Sequence, residues 1–189
     1  MANEEDTLLA ATHTDPLPPP SAELESIFRE HHPKVFGTAY RITGNAQDAE
    51  DVLQTVFLRL LRRQDEIDLS PGPASYLRRA AVNAALDLMR ARARAQSISL
   101  DELEVPLQGG NHLSPDRRQE DREIRRFLRQ AILSLTPRSA EIFSMRFLEE
   151  MTNREIAKAL GISQAAVGVA LHRARSQVKK QIRSFAGGN

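Results

Sequence analysis

Apolar positions fall at helical spacing along most of this chain. The clearest run is Ala49, Val52, Leu53, Val56, Phe57, Leu60 and Leu61. Glu50, Asp51, Gln54, Arg59 and Arg62 occupy the opposite face. A stripe repeating every three or four residues predicts an amphipathic helix. Gly44-Asn45 breaks the chain before it, and Asn45 with Asp48 resembles a helix start. Upstream, Leu24, Ile27, Phe28 and Val35 set one face of an earlier helix, with Pro33 expected to kink it. Downstream comes a loop through Asp65–Pro73, punctuated by Ser70-Pro71-Gly72-Pro73. Leu77, Ala80, Ala81, Ala84 and Leu88 then predict a long helix from about Ala74 to Arg94. Its basic end, Arg90, Arg92 and Arg94, suits a helix C-terminus.

The rear of the chain is punctuated more sharply. Ile124, Phe127, Leu128, Ala131 and Leu135 mark one helix. Thr136-Pro137 is a cap followed by Pro at the first helical position, and Ile142, Phe143 and Phe147 line the helix it starts. Thr152-Asn153-Arg154-Glu155 is a capping box. It starts a short helix with Ile156, Ala157 and Leu160 inward, and Gly161 stands where a left-handed cap is wanted. Ser163 caps a last helix with Val167, Ala170, Leu171, Ala174, Val178 and Ile182 inward. A short capped helix, a Gly turn and a longer capped helix make a helix-turn-helix. No stretch sustains strand-like alternation, so the expected fold class is all-α.

Composition sharpens this picture. The 189 residues hold no Cys, which excludes disulfides, thiolate zinc sites and a cysteine nucleophile and suits a reducing cytoplasm. No run of about 18 apolar residues occurs, so no membrane partner is expected. Residues 1–10 carry Glu4, Glu5 and Asp6 and no basic residue, unlike a secretory signal. The net charge of +1 hides an asymmetry. Residues 121–189 hold 13 basic against 6 acidic residues, and no acid follows Glu155. A basic rear suggests a polyanion; a solvated basic helix face is the plain alternative. The stretch 1–21, ending in a Pro cluster, reads as a disordered tail. Residues 96–120, with Pro106, Gly109-Gly110-Asn111 and an acidic excess, read as a flexible linker. Two small helical domains remain, 22–95 and 121–185, with 186–189 as a C-terminal tail.

The helix-turn-helix can offer the N-terminal residues of its second helix to base edges, and the Arg and Lys beyond them to phosphates. A helical hairpin that binds no nucleic acid is the alternative. Asp48 and Asp51 could be read as a magnesium or acid/base pair, but no phosphate loop or second carboxylate motif accompanies them. His31-His32 points to two helix faces without a third ligand, so both are read as solvated rather than metal-binding.

Three motif groups carry a family resemblance. The first is Tyr40-Arg41-Ile42-Thr43-Gly44-Asn45 with Asp48-Ala49-Glu50-Asp51-Val52, Gln54 and Phe57. The second is Tyr76-Leu77-Arg78-Arg79-Ala80-Ala81-Val82-Asn83 with Asp87 and Arg90. The third is Leu135-Thr136-Pro137, Glu155-Ile156-Ala157, Gly161-Ile162-Ser163, Val167 and Leu171-His172-Arg173-Ala174-Arg175. Together, residues 22–185 resemble an RNA polymerase sigma factor of the sigma-70 family, extracytoplasmic-function (ECF) group.

The resemblance implies a region 2-like bundle and a region 4-like helix-turn-helix that bind core polymerase and start transcription at promoters. It implies no catalysis by the chain itself, no cofactor, no metal and no small-molecule substrate. Asp48, Glu50, Asp51 and Gln54 would meet the β′ clamp helices of core polymerase, which also offers its β subunit. Tyr76, Arg79, Asn83, Arg90, Arg92 and Arg94 would hold the −10 element; Tyr76 reads more readily as core, and Asp87–Arg90 can be read as a surface pair. Ser163, Gln164, Ala165, Gly168, His172, Arg173 and Arg175 would meet the −35 element. Relatives commonly carry Thr, Lys or Arg where this chain has Ala166, Gly168 and Ala170, so readout through phosphates, thymine methyls and DNA shape is expected. An anti-sigma factor is a further partner that the family admits. Two other readings stay open: a helix-turn-helix regulator that needs no polymerase, and a protein that sequesters a partner without binding DNA.

Overall fold

The computed structural model describes residues 19–63, 67, 72–98 and 115–186. Among these there are seven helices and no strand: α1 (Ala22–Thr43), α2 (Ala46–Arg62), α3 (Pro73–Ile98), α4 (Pro115–Leu133), α5 (Pro137–Phe147), α6 (Asn153–Leu160) and α7 (Gln164–Ala186). Both α3 and α4 run into the segment read as linker; its middle, 99–114, lies outside the described residues, as do residues 1–18 of the tail and 187–189.

The local chemistry of the sequence accounts for most helix ends. Ser21 accepts from the Leu24 amide and Asn45 from the Asp48 amide, which caps α1 and α2. The Thr152–Glu155 capping box forms in full at α6, and its bonds from Thr152 hold the Glu155 carboxyl below its ordinary value. α1 continues through Pro33. Proline deprives the Arg29 carbonyl of its helical donor, and the His32 ring nitrogen Nδ1 lies 3.2 Å from that oxygen. His32 thus serves the backbone. Its neighbour His31 is buried, contrary to the solvated reading, because it faces the core side of α1.

The stripe on α2 is inward as expected: Ala49, Val52, Val56, Phe57 and Leu60 are buried. Phe28 differs from expectation. It is 44% exposed, and packs edge-on against Phe57. Ile124, Phe147 and Ile182, also expected inward, are exposed as well.

Helix α3 is buried on more than the one face that periodicity marks. Leu77, Ala81 and Ala84 are buried, and so are Val82, Ala85 and Leu86. The cause is double packing: α1 and α2 lie against α3, and α5 and α6 of the helix-turn-helix set lie against it too. Small residues let several helices approach one axis, and a helix covered on several sides reads apolar nearly all round. The two helical sets therefore touch directly.

Helix α4 contributes to this contact through Arg129. Its Nε donates to the Ile42 carbonyl at the end of α1, where carbonyls lack helical partners. Gly44 follows in the left-handed conformation at φ 71°. A methyl group there would overlap the Arg129 guanidinium. Gly44→Ala is therefore expected to lower stability by about 2 kcal/mol. Roughly half is the left-handed backbone and half the lost hydrogen bond. Thermal unfolding of Gly44→Ala, Arg129→Ala and the double variant checks this, and the double should fall short of the sum.

Candidate nucleic-acid and polymerase interfaces

The sequence-derived site residues fall on three surfaces. On α2, Glu50, Asp51 and Gln54 are exposed side by side. Asp48 is not presented with them. It is buried, and the guanidinium of Arg92 touches its carboxylate. Arg92 also lies 3.9 Å from Asp51. Burial raises the Asp48 carboxyl above its ordinary value, Arg92 only partly opposes this, and Asp51 adds to it. Asp48 and Arg92 were assigned to two different ligands, and they meet here as one ion pair tying α2 to α3.

The second surface lies along α3. Tyr76 is half-buried against the core. Arg90 Nη1 is 3.5 Å from Asp87 one turn earlier, and Arg94 lies on an exposed turn near the helix end. Arg79 and Asn83 face the helix-turn-helix set. Glu141 of α5 accepts from Arg79 Nε at 3.0 Å and Asn83 Nδ2 at 2.9 Å on one oxygen, and from Arg138 Nη1 at 2.8 Å on the other. Burial alone would push this carboxyl up; the bonds from Asn83, Arg138 and Arg79 override it and hold it below its ordinary value. Arg79 and Arg138 also donate to the Ala159 and Leu160 carbonyls at the end of α6. These are orphan acceptors of a helix C-terminus, which favours cations.

A second carboxylate repeats the arrangement. Glu149 accepts from Arg41 Nε at 2.8 Å and from Thr38 Oγ1 at 2.7 Å, and Arg78 Nε lies 4.0 Å away. The loop after α5 aims it there: Glu149 and Met151 donate to the Ser144 and Met145 carbonyls, with Glu150 held at φ 55°. Sequence reasoning passed over Glu141 and Glu149. Glu141 offers locally only a pair with Arg138 three residues earlier, Glu149 stands in a loop where no periodicity applies, and their donors on α1 and α3 lie about sixty or more residues away.

The third surface is the outer face of α7. Ser163 caps it, accepting from the Ala166 amide, and Gly161 at φ 63° makes the turn before it. Ser163, Gln164, Ala165, His172, Arg173 and Arg175 are exposed. Arg175 lies over the Phe147 ring at 4.8 Å, so this cation braces α7 against α5. Val169 is 51% exposed on the same face, between Ala165 and His172. It was missed because Val reads as core; its spacing from Ala165 was the available signal. Nothing lies within 4 Å of where a Gly168 methyl would stand, so no intramolecular contact requires this glycine. Gly168→Ala is expected to stabilise the fold by about 1 kcal/mol. If DNA approaches that backbone closely, duplex binding will weaken in the same variant; unfolding and binding curves measured together separate the two.

No described helix is long and apolar enough to cross a membrane, and no group of three metal-ligating side chains occurs among the described residues.

Comparison with known proteins shows the family of the chain. Residues 27–95 match the family model described as Sigma-70 region 2, and residues 126–178 that described as Sigma-70, region 4. The RNA polymerase sigma-E factor of Streptomyces avermitilis is 30% identical over 162 residues, covering 86% of each chain. The ECF RNA polymerase sigma factor SigE of Mycolicibacterium smegmatis is 30% identical over 158 residues, covering 82% of this chain and 60% of that protein. This chain belongs to the ECF group of sigma-70 factors. In this sigma factor the region 2 match runs from α1 to α3, and the region 4 match from the later turns of α4 through α5 and α6 into α7. Among solved structures, the sigma factor RpoE in complex with the anti-sigma factor NepR from Bartonella quintana superposes with a TM-score of 0.54 at 16% identity. It covers 86% of this chain and 98% of that one, and shares its fold.

Proposed function

We infer that this sigma factor binds core RNA polymerase, recognises the −10 and −35 elements of promoters and directs transcription initiation. The observation that carries this reading is the presence of both sigma regions in one chain, with acidic groups exposed on α2 and basic groups exposed on α7. Core polymerase docks on Glu50, Asp51 and Gln54, which can pair with basic groups of the β′ clamp helices. Asp48 positions α2 through Arg92 and does not itself contact the polymerase.

The −10 element is held by Tyr76, Arg79, Asn83, Arg90 and Arg94, with Arg92 available to a phosphate beside its pairing to Asp48. Unstacking a base costs a few kcal/mol, which stacking and backbone contacts must offset. The −35 element meets Ser163, Gln164, Ala165, Gly168, His172, Arg173 and Arg175. Val169 joins them as an apolar group fit to touch a thymine methyl. Two modest sites on one chain select promoters by spacing, since avidity exists only where both can engage.

In vitro transcription with purified core enzyme tests the reading. Promoter-dependent transcripts that need both proteins are expected. A chain that binds duplex DNA but never directs initiation would instead be an ordinary helix-turn-helix regulator.

A further inference from the structure

Two carboxylates of region 4 sit on one donor face of region 2. That face joins the end of α1 to the middle of α3: Thr38, Arg41, Arg78, Arg79 and Asn83. Glu141 and Glu149 each use both oxygens on these donors or on Arg138. A carboxylate and a phosphate present the same thing to a guanidinium, an acceptor-only oxyanion of matching geometry. The carboxylates are deeply covered, with side chains 7% and 3% exposed, whereas those of Arg41, Arg78 and Arg79 remain 51%, 38% and 42% exposed. A phosphate can therefore approach the arginines from solvent, but it can replace the carboxylates only if region 4 moves away.

We propose that Glu141 and Glu149 are built-in phosphate surrogates: they occupy a single-stranded-DNA face formed by Arg41, Arg78, Arg79 and Asn83 and hold the free chain closed. The proposal rests on the −10 reading above and extends it to Arg41 and Arg78. Beside the apolar α3 residues that α5 and α6 cover, the contact holds these ion pairs and arginines on helix-end carbonyls, including Arg79 on α6 and Arg129 on α1. Polar contacts of this kind between units suit reversible opening. The acidic face of α2 and the outer face of α7 stay exposed in the closed chain. The latch thus withholds Arg41, Arg78, Arg79 and Asn83 from DNA while leaving the other two surfaces free. Apparent affinity for single-stranded DNA is reduced by the fraction of chains that are open.

The chain holds no cysteine, so Arg59→Cys on α2 and Lys179→Cys on α7 can carry a dye pair that reports the separation of the regions. Binding is read on the unlabelled full chain with a fluorescent single-stranded DNA of mixed sequence, about a dozen nucleotides long. In Glu141→Gln/Glu149→Gln, energy transfer should fall and DNA affinity rise at least about tenfold. Adding Arg41→Ala and Arg78→Ala should remove most of that gain. Glu149→Gln alone should shift both readouts the same way by less, and it serves if the double variant loses helix content. Unchanged transfer and affinity in a folded double variant would overturn the latch and leave the −10 reading standing. Lower transfer without tighter binding would sink the −10 reading, and the surrogate role with it. Retention of the gain after removal of Arg41 and Arg78 would overturn their place on the DNA face.

Discussion

Glu50→Lys/Asp51→Lys should bind core RNA polymerase about 100-fold more weakly than the wild-type chain, a loss of about 3 kcal/mol. Both residues are exposed on α2 and neither takes part in the core. Their role in docking is electrostatic, so reversal turns attraction into repulsion, which costs several kcal/mol where like charges meet. Glu50 stands away from special features, where substitutions usually stay within about 0.5 kcal/mol; Asp51 lies 3.9 Å from Arg92, an exposed contact whose reversal should change stability by no more than about 1 kcal/mol. Thermal unfolding that shifts only slightly while co-migration with core enzyme is lost checks both halves. Binding of the wild-type chain should also weaken as salt rises, since exposed charges are screened beyond about 10 Å at 0.1 M. Equal affinity of the variant and wild-type chains would remove α2 from the docking surface.

The second large effect is expected inside region 2. Arg92→Ala removes the cation that touches the buried Asp48 carboxylate. Breaking a fully buried pair costs about 3–5 kcal/mol. Arg92 is partly exposed, so water screens some of the interaction and about 2 kcal/mol is expected at neutral pH. The pH dependence has a definite sign. The Asp48 carboxyl is already raised above 3.8 in the folded chain by burial. A raised carboxyl binds its proton more tightly folded than unfolded, so this group adds stability as the pH falls through its folded value towards 3.8. Loss of Arg92 removes an interaction that lowers it and raises it further. The deficit of Arg92→Ala should therefore be largest near neutral pH and shrink on acidification. Asp48→Asn in the same background should recover much of the loss. Denaturant unfolding across the pH range reads all three. A deficit independent of pH would assign Arg92 a packing role instead.

Glu141 behaves in the opposite sense. Its carboxyl is held below its ordinary value, so its contribution is complete at neutral pH. That contribution fades only as acid takes the pH below the ordinary glutamate range and through the folded value. The two buried acids thus differ in kind. Glu141 has three donors that outweigh its burial, whereas Asp48 has one main cation and a like-charged neighbour.

Much of the fold could be read from local pattern. The α2 stripe, the caps at Asn45, Thr136 and Thr152, and the left-handed glycines at Gly44 and Gly161 all stand as their residue types dictate. Each depends on groups a few residues apart, and such chemistry is written in adjacent sequence. The same holds for the exposed face of α7, which is the complement of its apolar stripe. Asp48 shows where this logic stops. Its place in the first turn of α2 marked it as a surface acid, yet Arg92 lies across the bundle and the pair turns inward.

The chain's own order of residues determined the helices, their ends and the membership of the sigma family, because these follow from short-range caps, periodicity and motif spacing. The tertiary structure alone decided that α3 is covered on several sides, that His31 is buried, and that Arg41, Arg79 and Asn83 meet Glu149 and Glu141 from region 4. Those outcomes depend on packing and pairing between groups distant along the chain. Periodicity reports only which face of a helix leaves water, never which neighbour it meets there.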